Sequence, residues 1–129
     1  MRCLAIALAT CAFAFSAAAA GPAAIEPTAL GERIAWADQT LFVLDVRTPE
    51  EYAAGHLPGA VNIPHGELAA RIAELAGARE RDIVVYCRTG VRSAAALEVL
   101  GKAGFKRLYH LKGDYTRWSE EKRPVVASQ

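Results

Sequence analysis

The chain has 129 residues, 15 Lys and Arg against 14 Asp and Glu, a net charge of +1, and 53% hydrophobic residues. That length fits one domain and leaves little room for a second. The balanced charge gives no electrostatic reason to expect nucleic acid or an anionic membrane as partner.

The first twenty residues differ from the rest. Arg2 precedes an apolar run from Cys3 to Phe15, followed by Ser16 and the small residues Ala17 to Ala20. This is the order of a secretory signal peptide, and cleavage after Ala20 puts Ala18 and Ala20 at the two positions that must be small. A retained anchor fits less well, because the run is Ala-rich and interrupted by Thr10 and Ser16, whereas a spanning helix needs ~20 strongly apolar residues. Lipidation at Cys11 is disfavoured by Thr10 before it. The expectation is therefore a cleaved leader over residues 1–20 and an exported domain over 21–129, most naturally periplasmic and without stable membrane insertion. Removal of Arg2 brings acidic and basic residues to parity, and Cys3 and Cys11 leave with it. Cys87 then stands alone. A solitary cysteine is either a buried small hydrophobe or a thiol kept for its reactivity, and an oxidising compartment favours the second.

Gly21 to Glu26 reads as a lead-in, and Pro27-Thr28 opens a helix through Ala35. Leu41 to Val46 is an apolar run rich in β-formers and reads as a buried strand. Glu50 to Ala54 makes a turn of helix ended by Gly55, and the prolines and glycine around Ala60 to Ile63 suggest a loop into a short strand. Leu68, Ile72 and Leu75 predict an amphipathic helix from Gly66 to Ala76. Ile83 to Cys87 is the clearest buried strand. A helix from Ser93 to Ala103 follows, with Ser93 as its cap and Gly104 as its end. Lys106 to Leu111 forms a further strand, Gly113 a turn, and a last helix surrounds Trp118. Trp36 and Trp118 both read as core or semi-core aromatics. Alternating strands and helices predict an α/β domain with a largely parallel sheet flanked by helices. In such sheets function gathers at the carboxyl ends of the strands.

The segment Cys87-Arg88-Thr89-Gly90-Val91-Arg92-Ser93 occupies that position. A thiolate there would face loop amides and the first N–H groups of the next helix, with Arg88 and Arg92 adding positive charge. These surroundings favour thiolate over thiol, and Gly90 permits the backbone conformation that closes the loop. The same cradle would hold an anionic substrate. Taken alone, Cys87 could equally be an inert packing residue; joined to Gly90, two arginines and Ser93, it reads as a nucleophile.

CRTGVRS resembles the active-site loop of rhodanese-like sulfurtransferases, which begins with the nucleophilic cysteine and closes on Arg-Ser or Arg-Thr. Leu44 to Pro64 (LDVRTPEEYAAGHLPGAVNIP) is similar to the family's Asp-x-Arg and Gly-His-Ile-Pro-Gly-Ala segments, and Leu108 to Trp118 (LYHLKGDYTRW) to its closing segment. One departure is visible: the closing segment usually has paired glycines, and here Gly113 is followed by Asp114. Asp tolerates positive φ better than most residues but not freely.

The resemblance implies a single rhodanese-like domain without metal or organic cofactor. Its reaction would be transfer of a sulfane sulfur from a small anionic donor such as thiosulfate, through a persulfide on Cys87, to cyanide or a thiol. Thr89 and Val91 fall in the substrate-binding loop, Val91 at the pocket mouth, and Arg88 and Arg92 would help hold the donor. Asp45 and Arg47 end a buried strand, where such charges must be paired; Arg47 could also reach substrate. His56 is expected to hydrogen-bond backbone rather than act as a base. His65 and His110 are isolated and show no ligand spacing, so no metal site is proposed. A monomer is expected. The rival readings are a persulfide carrier or non-catalytic binding module, and a cysteine phosphatase or arsenate reductase. Related phosphatase loops carry one residue more than the four between Cys87 and Arg92.

Overall fold

Five parallel strands form the sheet, in the order β1-β5-β4-β2-β3. They are β1 (Ala23–Ile25), β2 (Leu41–Asp45), β3 (Val61–Asn62), β4 (Asp82–Tyr86) and β5 (Leu108–Leu111). The computed structural model describes residues 21–128, so the expected leader over 1–20 lies outside the described residues. The α-helices are α1 (Pro27–Ala35), α2 (Pro49–Ala54), α3 (Val91–Lys102) and α4 (Asp114–Glu120). Parallel strands covered on both faces read as nearly continuous apolar runs, and β4 (DIVVY) is buried along its whole length.

The alternation of side chains along a strand divides this core in two. Ile83, Val85 and Cys87 face one layer with Leu44 and Val46, against Leu97 and Leu100 of α3. Val84 and Tyr86 face the other with Leu41 and Val43, against Leu30 of α1 and Trp118 of α4. Cys87 thus ends a row of packed aliphatic side chains at the carboxyl end of the central strand.

Several sequence expectations are corrected. The lead-in contains β1, an edge strand paired with β5 in the register Ala23 to Tyr109. The segment expected to be an α-helix over Gly66 to Ala76 is a series of turns followed by a 3-10 helix, Ile72–Ala78. At three residues per turn Ile72, Leu75 and Ala78 share one face, and Leu75 and Ala78 are buried while Ile72 packs against them. The apolar spacing satisfied both periods. α3 starts two residues earlier than expected, at Val91. Its N-cap is Gly90, and Ser93 lies inside the helix with its side chain buried. Trp36 is 85% exposed, because it caps the C-terminus of α1 as the chain turns away. Trp118 is buried and donates its indole N–H to the Pro124 carbonyl at 2.9 Å.

The carboxyl end of β2 carries a buried ion pair. Asp45 is 0% and Arg47 3% exposed. Arg47 Nη2 donates to Asp45 Oδ2 at 2.7 Å and to the Gly55 carbonyl at 2.6 Å. Its Nε lies 3.1 Å from both carboxylate oxygens. Tyr86 donates its hydroxyl to Asp45 Oδ2 at 2.6 Å and accepts the Leu57 N–H at 3.1 Å. Burial first, and then the Asp45 carboxylate, push the Tyr86 phenol far above its ordinary range, which keeps it a donor. The Arg47 guanidinium also lies 4.1 Å from the Tyr115 ring centroid. Both charges are paired, as burial requires, and together they tie β2 to β4 and to the loop after α2. His56 pins that loop: its Nδ1 lies 2.7 Å from the Tyr52 carbonyl, its ring stacks on Tyr52, and its backbone bridges to Val126.

Removing one partner of a buried pair strands the other. Asp45→Ala is expected to cost about 3–5 kcal/mol in urea unfolding, whereas Trp36→Ala stays within about 0.5 kcal/mol of the parent.

Candidate active site

β4 ends at Tyr86, and the chain turns through Cys87 to Gly90 before α3 begins. Gly90 makes the turn possible. Its φ of 116° and ψ of −15° lie in a region that side chains disfavour, and a Cβ there would come within 3.2 Å of Asp114 Oδ2. In this conformation the Gly90 N–H points back at Cys87 Sγ, with N and S 3.0 Å apart. Among the described residues it is the one loop amide that hydrogen-bonds the sulfur, although the sequence suggested several. The Cys87 side chain is not free to swing out. The residue is 1% exposed, and its sulfur lies 3.5 Å from Ser93 Oγ.

The loop residues around the sulfur divide by exposure. Arg88, Thr89 and Val91 are exposed, Gly90 and Arg92 half-buried, and Ser93 buried. Arg92 is already engaged. Its two terminal nitrogens bond both oxygens of Glu51, at 2.7 and 3.0 Å, a fork geometry that fixes both side chains. Glu51 also closes the capping box of α2 with Thr48. The Arg92 hydrogen bonds hold its carboxyl down at about 2. Arg88 remains the exposed cation of the loop. It borders a cleft of about 370 Å³ lined also by Arg47, Glu51, Tyr115, Thr116 and Glu120.

The closing segment meets the loop from the other side. Tyr115 N donates to the Cys87 carbonyl at 3.0 Å, and Thr116 donates to the Arg88 carbonyl from its amide at 3.2 Å and its hydroxyl at 2.9 Å. Asp114, the first residue of α4, has φ 53° and is buried. Its Oδ1 accepts the Cys87 N–H at 3.0 Å and the Ser93 hydroxyl at 3.0 Å. His110 Nε2 lies 3.0 Å from each of its oxygens and 3.1 Å from Ser93 Oγ. The departure from the paired-glycine pattern therefore touches the Cys87 backbone directly.

The structure thus brings Cys87, Gly90 and Ser93 together, with Arg92 beside them in a pair with Glu51. Asp45, Arg47 and His56 stand behind the loop as supports, and none of the three bonds the sulfur. Sequence reasoning missed His110, read as isolated, and left open where Asp114 would lie. The available signal was a carboxylate at a position where the pattern has glycine. Among the described residues no group of three or more His, Cys, Asp or Glu is placed to hold a metal ion.

Known proteins resemble this chain over most of its length. The family model described as "Rhodanese-like domain" matches residues 26–121. A protein of Allochromatium vinosum named "Sulfurtransferase" is 35% identical over 105 residues, which are 81% of this chain and 95% of that protein. The HTH-type transcriptional regulator Rv0324 of Mycobacterium tuberculosis is 45% identical over 85 residues, 64% of this chain but only 36% of the regulator. Among solved structures, a rhodanese-related protein of Thermoplasma volcanium is 36% identical with a TM-score of 0.70, covering 81% of this chain and 97% of that one.

The Glu51–Arg92 pair predicts a pH signature. Glu51 has a folded value of about 2 against an ordinary 4.5, so its contribution is fully present above 4.5 and disappears as pH falls toward 2. Acid unfolding of Glu51→Gln, followed by circular dichroism, is expected to lack that component and to start from lower stability at neutral pH.

Proposed function

The chain belongs to the rhodanese-like domain family, and on that premise we propose that it is an exported thiosulfate-type sulfurtransferase that works through a persulfide on Cys87. The family and its sulfurtransferase relative support sulfur transfer as the general chemistry. The observation that carries the finer reading is the Gly90 N–H directed at the Cys87 thiol at the end of the central strand.

Two displacements at sulfur make up the reaction. The Cys87 thiolate attacks the outer sulfur of thiosulfate, the S–S bond of the donor breaks, and sulfite leaves with its electron pair. Cyanide or a thiolate then attacks the terminal sulfur of the persulfide, and the Cys87 thiolate departs. This is covalent catalysis in two easier steps, and the Gly90 amide supports the anionic sulfur at both ends of the cycle. Arg88, exposed and beside the cleft, meets the anionic donor. Arg92 acts at one remove by holding α2 against α3 through Glu51. That engagement also weighs against phosphatase chemistry, which needs a guanidinium free to clamp an oxyanion. The domain is proposed to act as a monomer in the periplasm after cleavage following Ala20.

Purified protein incubated with thiosulfate is expected to gain one sulfur atom on Cys87 in intact-mass spectra and to form thiocyanate when cyanide is added. Cys87→Ser abolishes both. An unloaded Cys87 after thiosulfate would remove the basis of the proposal, and aryl phosphatase activity lost in Cys87→Ser would replace it.

A further inference from the structure

The burial of Cys87 creates a problem for any chemistry that needs its thiolate. At 1% exposure the thiol has almost no surface from which to pass its proton to bulk water. The oxygen beside the sulfur is Ser93 Oγ, at 3.5 Å. Ser93 has one hydroxyl proton and two oxygen acceptors within reach, the Gly90 carbonyl and Asp114 Oδ1, each at 3.0 Å. With that proton directed at Asp114, a lone pair of Oγ is left to receive the thiol S–H.

Behind Ser93 the chain of polar groups continues outward. Asp114 is buried, and His110 Nε2 touches both its carboxylate oxygens at 3.0 Å and Ser93 Oγ at 3.1 Å. The His110 side chain is 32% exposed. It borders an apolar cleft of about 580 Å³ open to solvent between β1 and α3, lined by Pro22, Ala94, Leu97 and Glu98 among others.

We propose that Ser93, Asp114 and His110 form a proton relay that takes the thiol proton of Cys87 and delivers it to solvent. The relay rests on the reading of Cys87 as the nucleophile. The S–H bond breaks with its electron pair kept on sulfur, and its proton bonds to Ser93 Oγ. The hydroxyl proton of Ser93 crosses to Asp114 Oδ1, and the proton on Asp114 passes to Nε2 of a neutral His110. The products are a Cys87 thiolate and a His110 imidazolium that releases its proton at its exposed edge. No oxidant or co-reactant is required.

Neighbouring charges are committed elsewhere. On α3, Arg92 is held by Glu51, and Glu98 pairs with Lys102 at 2.9 Å. On the β2 side Arg47 is held by Asp45, and the phenol of Tyr86 bonds the same carboxylate. From α4, Tyr115 and Arg117 face away from the relay, Tyr115 toward Arg47 and Arg117 toward Glu26 and Glu121. Arg88 is exposed. Among the described residues none of these bonds Ser93 Oγ, the Asp114 carboxylate or His110 Nε2. Ser93 touches the reacting atom; Asp114 and His110 act through it as positioning residues.

The test is the rate at which iodoacetamide alkylates Cys87 in the purified protein, followed by intact mass between about pH 5 and 10. The variants are His110→Gln, Asp114→Asn and Ser93→Ala, each checked for folding by circular dichroism. The partly exposed His110 ring makes His110→Gln the variant that best preserves the fold. Near neutral pH it is expected to slow alkylation about a hundredfold, the low end of what general acid–base groups contribute. At alkaline pH, where hydroxide takes the proton directly, its rate converges on that of the parent. Asp114→Asn is expected to show the same pH-dependent loss. A His110→Gln profile identical to the parent, or a slowing uniform across pH, overturns the relay. So does a folded parent whose Cys87 resists alkylation at every pH while the denatured chain reacts. No sulfur donor is involved, so failure to load sulfur with the His110 dependence intact would sink the transfer reading alone.

Discussion

Holding one sulfur atom at the end of a packed parallel strand forces the surrounding polypeptide to solve a hydrogen-bonding problem. The backbone must leave β4, pass Cys87 and enter α3 within a few residues, and its polar groups there cannot be left unpaired in the interior. Gly90 solves one part by turning its N–H onto the sulfur. The closing segment solves the rest. Asp114 takes the Cys87 N–H, while Tyr115 and Thr116 take the carbonyls of Cys87 and Arg88. The loop is therefore held by α4 as much as by its own sequence. The positive φ of Asp114 is the local cost of placing that carboxylate, and its three polar contacts offset it.

The two buried carboxylates around the site are handled in opposite ways. Asp45 is neutralised by a cation, Arg47, in a bidentate pair shared with Tyr86. Its job is mechanical, since it fixes the end of β2 and the turn at Gly55 against β4. Asp114 meets an amide, a hydroxyl and an imidazole, and among the described residues no arginine or lysine. A guanidinium grips one carboxylate through a fork of charge-assisted hydrogen bonds, and the other is held by single contacts from three separate elements. The two acids are equally buried and differ in their partners.

The fold was largely legible in the sequence because the strands of a covered parallel sheet announce themselves as apolar runs, and β2 and β4 appeared within a residue of their observed bounds. What escaped has identifiable causes. Three residues of β1 carry too little pattern to be seen, and their strand character comes from pairing with β5. Leu68, Ile72 and Leu75 fit an α-helix, but Ile72, Leu75 and Ala78 fit a 3-10 helix as well, and the tertiary contact chose. Ser93 looked like a cap because serine often is one; the left-handed glycine before it took that role and freed the hydroxyl to face the sulfur. For the site, CRTGVRS located the loop, but the partners of its side chains lie far off in the chain. Glu51 and Arg92 are 41 residues apart, and Cys87 and Asp114 are 27 apart. Such pairings come from the sheet order, which brings β5 beside β4, and local spacing does not carry them.

The burial of the sulfur and the commitment of Arg92 together shape how an anion can approach. Arg88 is exposed and borders the cleft lined by Tyr115 and Thr116, while the two terminal nitrogens of Arg92 are engaged by Glu51. Chemistry at a thiol with almost no exposed surface demands a reagent small enough to reach it, or a small displacement of the loop. The loop carbonyls of Cys87 and Arg88 are held by α4, while the side chains of Arg88, Thr89 and Val91 are free at the surface. Movement is therefore cheapest in the side chains above the sulfur and most costly in the backbone beneath it. Under the proposed sulfur transfer, that asymmetry would keep the sulfur fixed and protected between turnovers and make the approach to it the part that gives.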